Sequence, residues 1–195
     1  MAVRTERYEL GRELARGGMA TVHLGRRLGA AGFERPVAVK RMHPHLLVDP
    51  EFVEMFVEEA RLASHIHHPN VAQTLDVVLE DGELWLVLEL VRGTSVSRLL
   101  TAAGRVPTDI ACSIAHGALL GLDAAHDACD AAGRPLEIVH RDVSPQNVMV
   151  GVDGTARIID FGVAKAAARS AVTRDGMIKG KIAYMAPEQL TSSPV

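Results

Sequence analysis

The segment "IVHRDVSPQNVMV", residues 138–150, sets charged and polar side chains in an apolar frame. Asp142 and Asn147 stand five residues apart with Pro145 between them, and hydrophobic residues flank them on both sides. Polar groups are costly to bury unless they form hydrogen bonds or bind a ligand. Ser144 is a small neutral side chain at a point where a longer, charged one would be expected. The segment is therefore the first candidate for a functional loop.

A second acidic loop follows closely, in "IIDFG", residues 158–162. Asp142, Asn147 and Asp160 together supply three oxygen ligands or bases from two adjacent loops. Hard oxygen donors suit Mg²⁺, which keeps several of its waters and binds substrate phosphates. The pattern predicts a magnesium site, although Asp160 alone is equally typical of a turn residue before Gly162.

The N-terminal part carries a weaker signal of a phosphate site. In "LARGGMATV", residues 14–22, a glycine pair stands between two predicted strands. Glycines let the backbone approach a ligand closely, and free N–H groups there can face phosphates. A plain β-turn uses the same glycines, so the residues alone leave both interpretations open.

A lysine in the next predicted strand is a second signal. In "VAVK", residues 37–40, strand alternation separates Lys40 from the two valines, which pack on the opposite face. An exposed strand lysine is the alternative, unless a carboxylate partners it in a cleft. A helix predicted to start at Asp49 carries Glu59 at mid-length, and we expect this carboxylate to be the partner. Its neighbour Glu58 is expected to face solvent.

Composition narrows the class of protein. The chain has 195 residues, of which 48% are hydrophobic, so it can bury a sizeable core. Its formal net charge of −3 gives no reason to expect nucleic-acid binding. Cys112 and Cys129 form no CxxC pair and are predicted to be reduced thiols. The absence of a signal peptide and of an apolar run of about 18 residues predicts a soluble cytoplasmic protein with no membrane segment.

The order of predicted elements divides the chain near residues 89–94. The first part consists of strands with one helix, whereas the second part opens with an alanine-rich helix and carries the polar loops. The predicted elements are a hairpin at 71–79 and 83–91, a helix from Thr108 to Ala131 capped by Gly133, and a strand pair at 148–152 and 156–159.

Six short motifs occur in order along the chain: "LARGGMATV", "VAVK", Glu59, "HRDVSPQN", "DFG" and "APE" at 186–188. Each is weak alone, because a tripeptide recurs by chance, but the ordered set resembles the protein kinase signature. From about Tyr8 to its end, the chain resembles the eukaryotic-type (Hanks-type) protein kinase catalytic domain, most of all that of bacterial serine/threonine kinases. This resemblance implies an α+β, protein-kinase-like two-lobed fold. A β-rich N-lobe with one helix (1–90) would bind ATP, and an incomplete, mainly helical C-lobe (91–195) would carry the catalytic loop and activation segment.

The resemblance assigns catalytic roles to matching positions. It implies that Asp142 is the catalytic base, and that Asn147 and Asp160 bind Mg²⁺. It implies that Lys40 contacts the α- and β-phosphates of ATP and pairs with Glu59. Two strands flanking the opening segment would hold its polar side chains against ATP and Mg²⁺.

The resemblance also assigns the nucleotide site. Residues 14–22 would cover the phosphates, and the chain just after Leu88 would read the adenine edge with its backbone. The implied nucleotide-binding residues are Leu14, Ala15, Gly17, Gly18, Met19, Ala20, Val22, Ala38, Lys40, Glu89, Val91, Met149 and Asp160.

The activity implied by the resemblance is ATP-dependent phosphoryl transfer to serine or threonine of protein substrates, as in bacterial signalling by phosphorylation. ATP and Mg²⁺ are the implied cofactors, and a protein substrate is the implied partner, with self-association or autophosphorylation as a further expectation. The alternative is a pseudokinase or nucleotide-binding scaffold with little catalysis. A small-molecule kinase of related fold is disfavoured by the "APE" segment, which shapes a peptide-binding platform in the family.

Three features depart from the family pattern. Ala15 and Ala20 stand where the first and third glycines of GxGxxG are expected, which predicts a stiffer loop and weaker ATP binding. Ser144 replaces the lysine with which serine/threonine kinases neutralise the transferred phosphate. The chain ends at "APEQLTSSPV", before further helices of the family, which predicts a C-terminally truncated domain with an exposed apolar helix face.

The residue before the predicted base suggests regulation. In the family that the chain resembles, an arginine at the position of Arg141 implies control through the activation segment, here about residues 163–185. An arginine there can bind a phosphate bidentately. Thr173 is the first candidate phosphosite and Ser170 the second, and we expect the carboxylate of Asp175 to substitute in part for a phosphate. An exposed loop without regulation is the alternative.

Overall fold

The computed structural model describes residues 5–161 and 182–190. Five strands between residues 8 and 89 form the larger of the two sheets in these described residues. The strands are β1 (Tyr8–Arg16), β2 (Ala20–Leu28), β3 (Glu34–Met42), β4 (Thr74–Glu80) and β5 (Glu83–Glu89). All neighbouring pairs are antiparallel, in the spatial order β1–β2–β3–β5–β4. The hairpin of β4 and β5 confirms the sequence prediction, and its turn residues Asp81 and Gly82 both adopt positive φ, as tight hairpin turns require.

The helix α1 (Pro50–Ala63) packs on one face of this sheet. Its start is the predicted one, because Asp49 accepts hydrogen bonds from the N–H groups of Glu51 and Phe52, and Pro50 takes the first helical position. The buried side chains of α1 are Phe52, Phe56, Ala60 and Ala63.

Alternation along β3 decides which side chains face α1. Val37 and Val39 are buried in a hydrophobic cluster on the far face of the sheet, whereas Met42 belongs to the cluster that contains α1. Because successive side chains of a strand point to opposite faces, Ala38 and Lys40 share the face of Met42. The predicted lysine therefore points to the helix side of the sheet.

A smaller sheet and further helices follow β5. The sheet consists of β6 (Gly93–Ser95), β7 (Val148–Gly151) and β8 (Ala156–Ile158), in that order. The helices are α2 (Val96–Ala103), α3 (Thr108–His126) and α4 (Pro187–Leu190), and 3₁₀ turns lie at Ala30–Gly32, Pro44–Leu46 and Ile182–Tyr184. The strand pair of β7 and β8 was expected. Neither β6 nor α2 is evident in the sequence, since both are short and Gly93 interrupts the apolar pattern.

The helix α3 ends at His126, earlier than the predicted end at Ala131. Gly133 does adopt a positive φ of 77°, but it lies in a separate turn in which the Asp130 carboxylate accepts two backbone N–H groups. Aspartate side chains compete with helical hydrogen bonding in this way, which explains the shorter helix. Among the described residues, no helix has both the length and the apolar character that crossing a membrane requires.

Close packing of α3 fixes the strand that leads into the second acidic loop. A Cβ at Gly121 would lie 2.5 Å from the carbonyl oxygen of Asn70, so only glycine permits this approach. Asn70 accepts a hydrogen bond from the Ile158 N–H at 2.8 Å, and its Nδ2 donates to the Ala156 carbonyl at 2.7 Å. Both ends of β8 are thereby held, and Asp160 is the second residue after it.

Candidate active site

The side chain of Asn147 closes the loop that contains Asp142. Its Nδ2 donates to the backbone oxygen of Asp142 at 2.8 Å and to Asp142 Oδ2 at 2.9 Å. The backbone N–H of Asn147 donates to the Ser144 carbonyl at 2.9 Å. Because Asn147 is buried, these bonds form at low dielectric and orient the carboxylate firmly. The structure thus brings two of the predicted site residues into direct contact.

The frame of this loop differs from the expectation of two flanking strands. The strand β7 follows the loop, but residues 136–141 in front of it form no strand. This upstream segment is instead anchored by burial of Ile138 and His140 among the residues that pack against α3 and β8.

His140 connects the two acidic loops. Its Nε2 donates to the Ile159 carbonyl at 3.0 Å, and its Nδ1 accepts the N–H of Asp142 at 3.2 Å. A carbonyl only accepts and an amide N–H only donates, so the ring is the neutral tautomer with its proton on Nε2. Burial lowers the pKa of His140, in agreement with a neutral ring. The Ile159 N–H donates to the Asn147 carbonyl at 3.0 Å, so the loop holds both backbone groups of Ile159.

Two site residues adopt backbone conformations that are rare outside glycine. The φ angle of Arg141 is 61° and that of Asp160 is 63°. Such conformations cost on the order of 1 kcal/mol and persist where surrounding contacts over-determine them, often at functional sites. The hydrogen bonds of His140 and Asn147 supply that constraint here.

Lys40 forms its ion pair with Asp160. The distance from Lys40 Nζ to Asp160 Oδ2 is 3.0 Å, and the two side chains are only 13% and 24% exposed. Phe161, the next residue, packs its ring edge-on against His140 at a centroid distance of 4.7 Å. The lysine of β3 and the second acidic loop are therefore joined.

The expected pair of Lys40 with Glu59 is not formed among the described residues, and this prediction was wrong. Glu59 lies on α1 with its carboxylate oxygens shielded from solvent, and it has other interactions. Its side chain lines a cavity of about 500 Å³ between α1 and residues 136–141, together with Arg141. Glu59 therefore lies on the side of α1 that borders residues 136–141. Glu58 points outward as expected and pairs with the exposed Arg61 at 2.7 Å.

The two predicted metal ligands present a donor set that suits Mg²⁺. Among the described residues, Asn147 forms its side-chain hydrogen bonds through Nδ2, so its Oδ1 can act as an oxygen ligand. The Asp160 carboxylate follows the Ile159 link, so it is held next to the loop of Asn147. A carboxylate and an amide oxygen match the preference of Mg²⁺ for oxygen ligands.

Two of the predicted nucleotide-binding residues, Val22 and Ala38, lie on neighbouring strands of the larger sheet. Val22 lies opposite Lys40, and Ala38 lies opposite Leu88, so these side chains share the helix face of the sheet. The N–H of Glu89 donates to the Gln73 carbonyl at 2.9 Å, which fixes the end of β5. Val91 lies between β5 and β6, and the half-buried Met149 belongs to β7 in the smaller sheet.

The glycine segment adopts a simpler conformation than its departures from GxGxxG suggest. Leu14 and Ala15 belong to β1, Ala20 to β2, and the connection consists of Gly17, Gly18 and Met19. None of these described residues has a positive φ, so the alanines introduce no backbone strain. Ala20 is instead buried in the cluster that contains α1. Strain at Ala15 and Ala20 therefore gives no reason to expect a stiffer glycine segment.

Ser144 is buried, with 6% of its surface exposed, and its Oγ has no hydrogen-bond partner among the described residues. A small side chain is therefore sequestered in the loop, where a lysine would have to extend outward. Because of this burial, the hydroxyl does not take the place of a cation facing a phosphate.

We expect Ser144→Ala to raise the free energy of unfolding by about 1 kcal/mol, because an unsatisfied buried hydroxyl carries a desolvation penalty that alanine lacks. Urea unfolding measures the change. Ser113→Ala is the matched control on the exposed face of α3, where the change should stay within about 0.5 kcal/mol. A loss of stability in Ser144→Ala larger than in this control would show that the hydroxyl has a bonding partner.

Gln189 is a site residue that the sequence analysis missed. Its Oε1 accepts the N–H of Ala186 at 3.0 Å, and its Nε2 donates to the carbonyl of Arg141 at 2.7 Å. The first bond is half of a capping box at the start of α4, which a glutamine at the third helical position could have signalled. The second bond ties α4 to the residue directly before Asp142.

The regulatory predictions concern residues that the structure does not describe. Thr173, Ser170 and Asp175 all lie outside residues 5–161 and 182–190. They stay predictions.

Comparisons with known proteins agree with this geometry. The protein kinase domain family matches residues 8–195. The chain is 45% identical over 192 residues to the tyrosine-protein kinase MasK of Myxococcus xanthus, covering 96% of this chain and 30% of that protein. It is 38% identical over 196 residues to the serine/threonine-protein kinase PknA of Mycobacterium tuberculosis, covering 94% of this chain and 41% of that protein. The chain thus spans well under half the length of these curated relatives.

A solved structure shows the same fold. The PknI kinase domain of Mycobacterium tuberculosis superposes with a TM-score of 0.74 at 26% identity, over 100% of this chain and 67% of that one. The five-stranded sheet with its helix, and the loops that carry Asp142 and Asp160, are elements of the expected kinase-like α+β fold. The chain belongs to the protein kinase family.

Proposed function

We propose that this domain transfers the γ-phosphate of ATP to serine or threonine hydroxyls of protein substrates. The observation that carries the proposal is the linked arrangement of Asp142, Asn147 and Asp160, with Lys40 paired to Asp160 at 3.0 Å. Phosphoryl transfer depends mostly on positioning and charge neutralisation, and this arrangement supplies a base, a cation and metal ligands on rigid supports.

Each group has a role in the proposed step. The Asp142 carboxylate orients the acceptor hydroxyl and takes its proton as the oxygen–phosphorus bond forms and the bond from the γ-phosphorus to the bridging oxygen breaks. Lys40 neutralises phosphate charge from the strand side. Asn147 and Asp160 would hold Mg²⁺, which neutralises further charge on the phosphates when bound.

The acceptor class has two candidates. The named serine/threonine kinases among the relatives support transfer to serine or threonine. A tyrosine acceptor is the second candidate, because the 45% identical MasK is named a tyrosine-protein kinase and Ser144 supplies no cation beside Asp142. Phosphoamino-acid analysis after transfer of labelled phosphate to a mixed serine, threonine and tyrosine substrate separates the two.

The test of the proposed function is transfer of labelled phosphate from ATP with Mg²⁺ by the purified protein. Label on protein serine or threonine supports it, and label on tyrosine alone supports the second candidate. Nucleotide binding without transfer would support the alternative of a nucleotide-binding scaffold.

Several finer assignments belong to the same proposal. ATP and Mg²⁺ are the cofactors, the partner is a protein substrate, and a second copy of the chain can serve as that substrate in autophosphorylation. We place the domain in the cytoplasm, where ATP is available, and the exposed free thiols of Cys112 and Cys129 suit that reducing compartment. The division into lobes at residues 1–90 and 91–195 stays a prediction.

We expect Gln189→Glu to lower kcat about tenfold and to leave the affinity for ATP unchanged. The substitution keeps the shape but removes the N–H that donates to the Arg141 carbonyl, and a lost buried hydrogen bond of this kind costs about 1–3 kcal/mol. Steady-state kinetics with varied ATP measure both parameters. Gln189→Met loses both side-chain bonds but places no charge against the Arg141 carbonyl, so it should show a smaller effect. An unchanged kcat in Gln189→Glu would contradict the coupling of α4 to the base.

A further inference from the structure

The residue directly after β3, His43, contacts the glycine segment at three points. Its backbone N–H donates to the Met19 carbonyl at 2.8 Å. Its ring Nδ1 lies 3.2 Å from the Gly18 carbonyl oxygen, and its Nε2 lies 3.3 Å from Thr21 Oγ1. Two neighbouring carbonyls of the β1–β2 connection and the hydroxyl of Thr21 in β2 are thus bonded to one residue.

The chemistry of the ring fixes the direction of these bonds. A carbonyl oxygen only accepts, so Nδ1 carries a proton and donates to Gly18. In the neutral ring Nε2 then accepts from the Thr21 hydroxyl, and in the charged ring it donates to the Thr21 oxygen. The ring can therefore form its hydrogen bonds to Gly18 and Thr21 in either protonation state.

Residues 17–21 need hydrogen bonds that fix their conformation, because they include two flexible glycines. Gly17 and Gly18 lose more conformational freedom on ordering than other residues do. A Cβ at Gly17 would make only an ordinary contact, 3.6 Å from the Ala20 carbonyl, so close packing does not restrict this turn. The Gly17 N–H donates to the Ala20 carbonyl at 2.9 Å, and Met19 packs against the cluster that contains α1. The carbonyls of Gly18 and Met19 accept their described hydrogen bonds from His43.

We propose that His43 is a positioning residue that holds residues 17–21 in the conformation that binds the phosphates of ATP, and thereby sets the affinity for nucleotide. This inference rests on the proposed nucleotide binding. His43 does not touch the reacting atoms, so it affects KM for ATP rather than the chemical step.

Binding of ATP with Mg²⁺, measured by calorimetry, tests the inference together with steady-state kinetics. We expect His43→Ala to weaken ATP binding and to raise KM about five- to tenfold, as expected for the loss of two modest hydrogen bonds, with kcat nearly unchanged. Asparagine can place an amide N–H near the position of Nδ1, so His43→Asn should recover part of the affinity. Thr21→Val, which removes one bond, should raise KM about twofold to threefold.

His45→Ala is the matched control, since His45 is exposed and its ring lies 5.8 Å from that of His43. Amide hydrogen exchange supplies a readout that needs no nucleotide, and exchange at residues 17–21 should accelerate in His43→Ala but not in His45→Ala. Unchanged ATP affinity and unchanged exchange in His43→Ala would overturn the inference. Equal losses in His43→Ala and His43→Asn, accompanied by a lower melting temperature, would overturn it as well. Failure of the wild-type protein to bind ATP would instead remove the proposed function, while exchange would still report on the hydrogen bonds of His43.

Discussion

Asp142→Asn is expected to reduce phosphoryl transfer by about 10²- to 10⁴-fold, the usual contribution of a positioned general base. The asparagine keeps an oxygen that can accept the hydrogen bond from Asn147 Nδ2, so the loop should stay closed. ATP binding should therefore change little, and only the group that takes the proton of the acceptor is lost. Single-turnover transfer of labelled phosphate, with calorimetry of ATP binding, measures the two effects separately.

Asp81→Asn is the matched control for this substitution. Asp81 lies in the exposed β4–β5 turn with a positive φ, which asparagine tolerates well. Transfer by this variant should equal that of the wild-type protein. Equal transfer by Asp142→Asn and the wild-type protein would remove the role of base from Asp142.

Asp160→Asn is expected to weaken Mg²⁺-dependent ATP binding and transfer by about 10²- to 10³-fold. The variant removes a charged ligand of the proposed Mg²⁺ site, and a 10²- to 10³-fold loss corresponds to about 3–4 kcal/mol of binding free energy. It also leaves the half-buried Lys40 without its described partner, which lowers the stability of the fold. Because phosphoryl transfer requires bound Mg²⁺, weaker binding of Mg²⁺ with ATP should lower the transfer rate as well. Titration of ATP affinity against Mg²⁺ concentration measures the change.

Asp160→Ala separates backbone conformation from charge. Asparagine accepts the φ of 63° at this position readily, whereas alanine adds strain on the order of 1 kcal/mol. Asp160→Ala should therefore be less stable to urea than Asp160→Asn, although both lose transfer. Equal Mg²⁺ dependence in Asp160→Asn and the wild-type protein would contradict the assignment of Asp160 as a metal ligand.

Local signals predicted much of this fold. The Asp49 cap with Pro50 located the start of α1, and alternation in "VAVK" placed Lys40 on the correct face of β3. These features depend on neighbours in sequence, where spacing determines geometry. The end of α3 was predicted less well because the competing turn at Asp130 depends on a side chain beyond the periodic region.

Contacts between residues far apart in sequence could not be predicted from local patterns. Gln189 and Arg141 are 48 positions apart, and His43 and Gly18 are 25 apart, so no periodicity connects them. The partner of Lys40 is decided by how α1 and the second acidic loop approach the sheet, which is a property of tertiary packing. For the same reason the motifs located Asp142, Asn147 and Asp160, whereas the hydrogen bonds that orient them had to come from the structure.

The backbone hydrogen bonds of Ile159 determine which amino acids are tolerated at this position. The loop of Asp142 and Asn147 holds this residue through its backbone N–H and carbonyl, and these two hydrogen bonds specify no side chain. Many amino acids should therefore be interchangeable here, and proline, which lacks the N–H, should be excluded. Residue 159 thus links the loop of Asp142 to the loop of Asp160 through the hydrogen bonds of its backbone. A comparison of sequences would show little conservation at such a position.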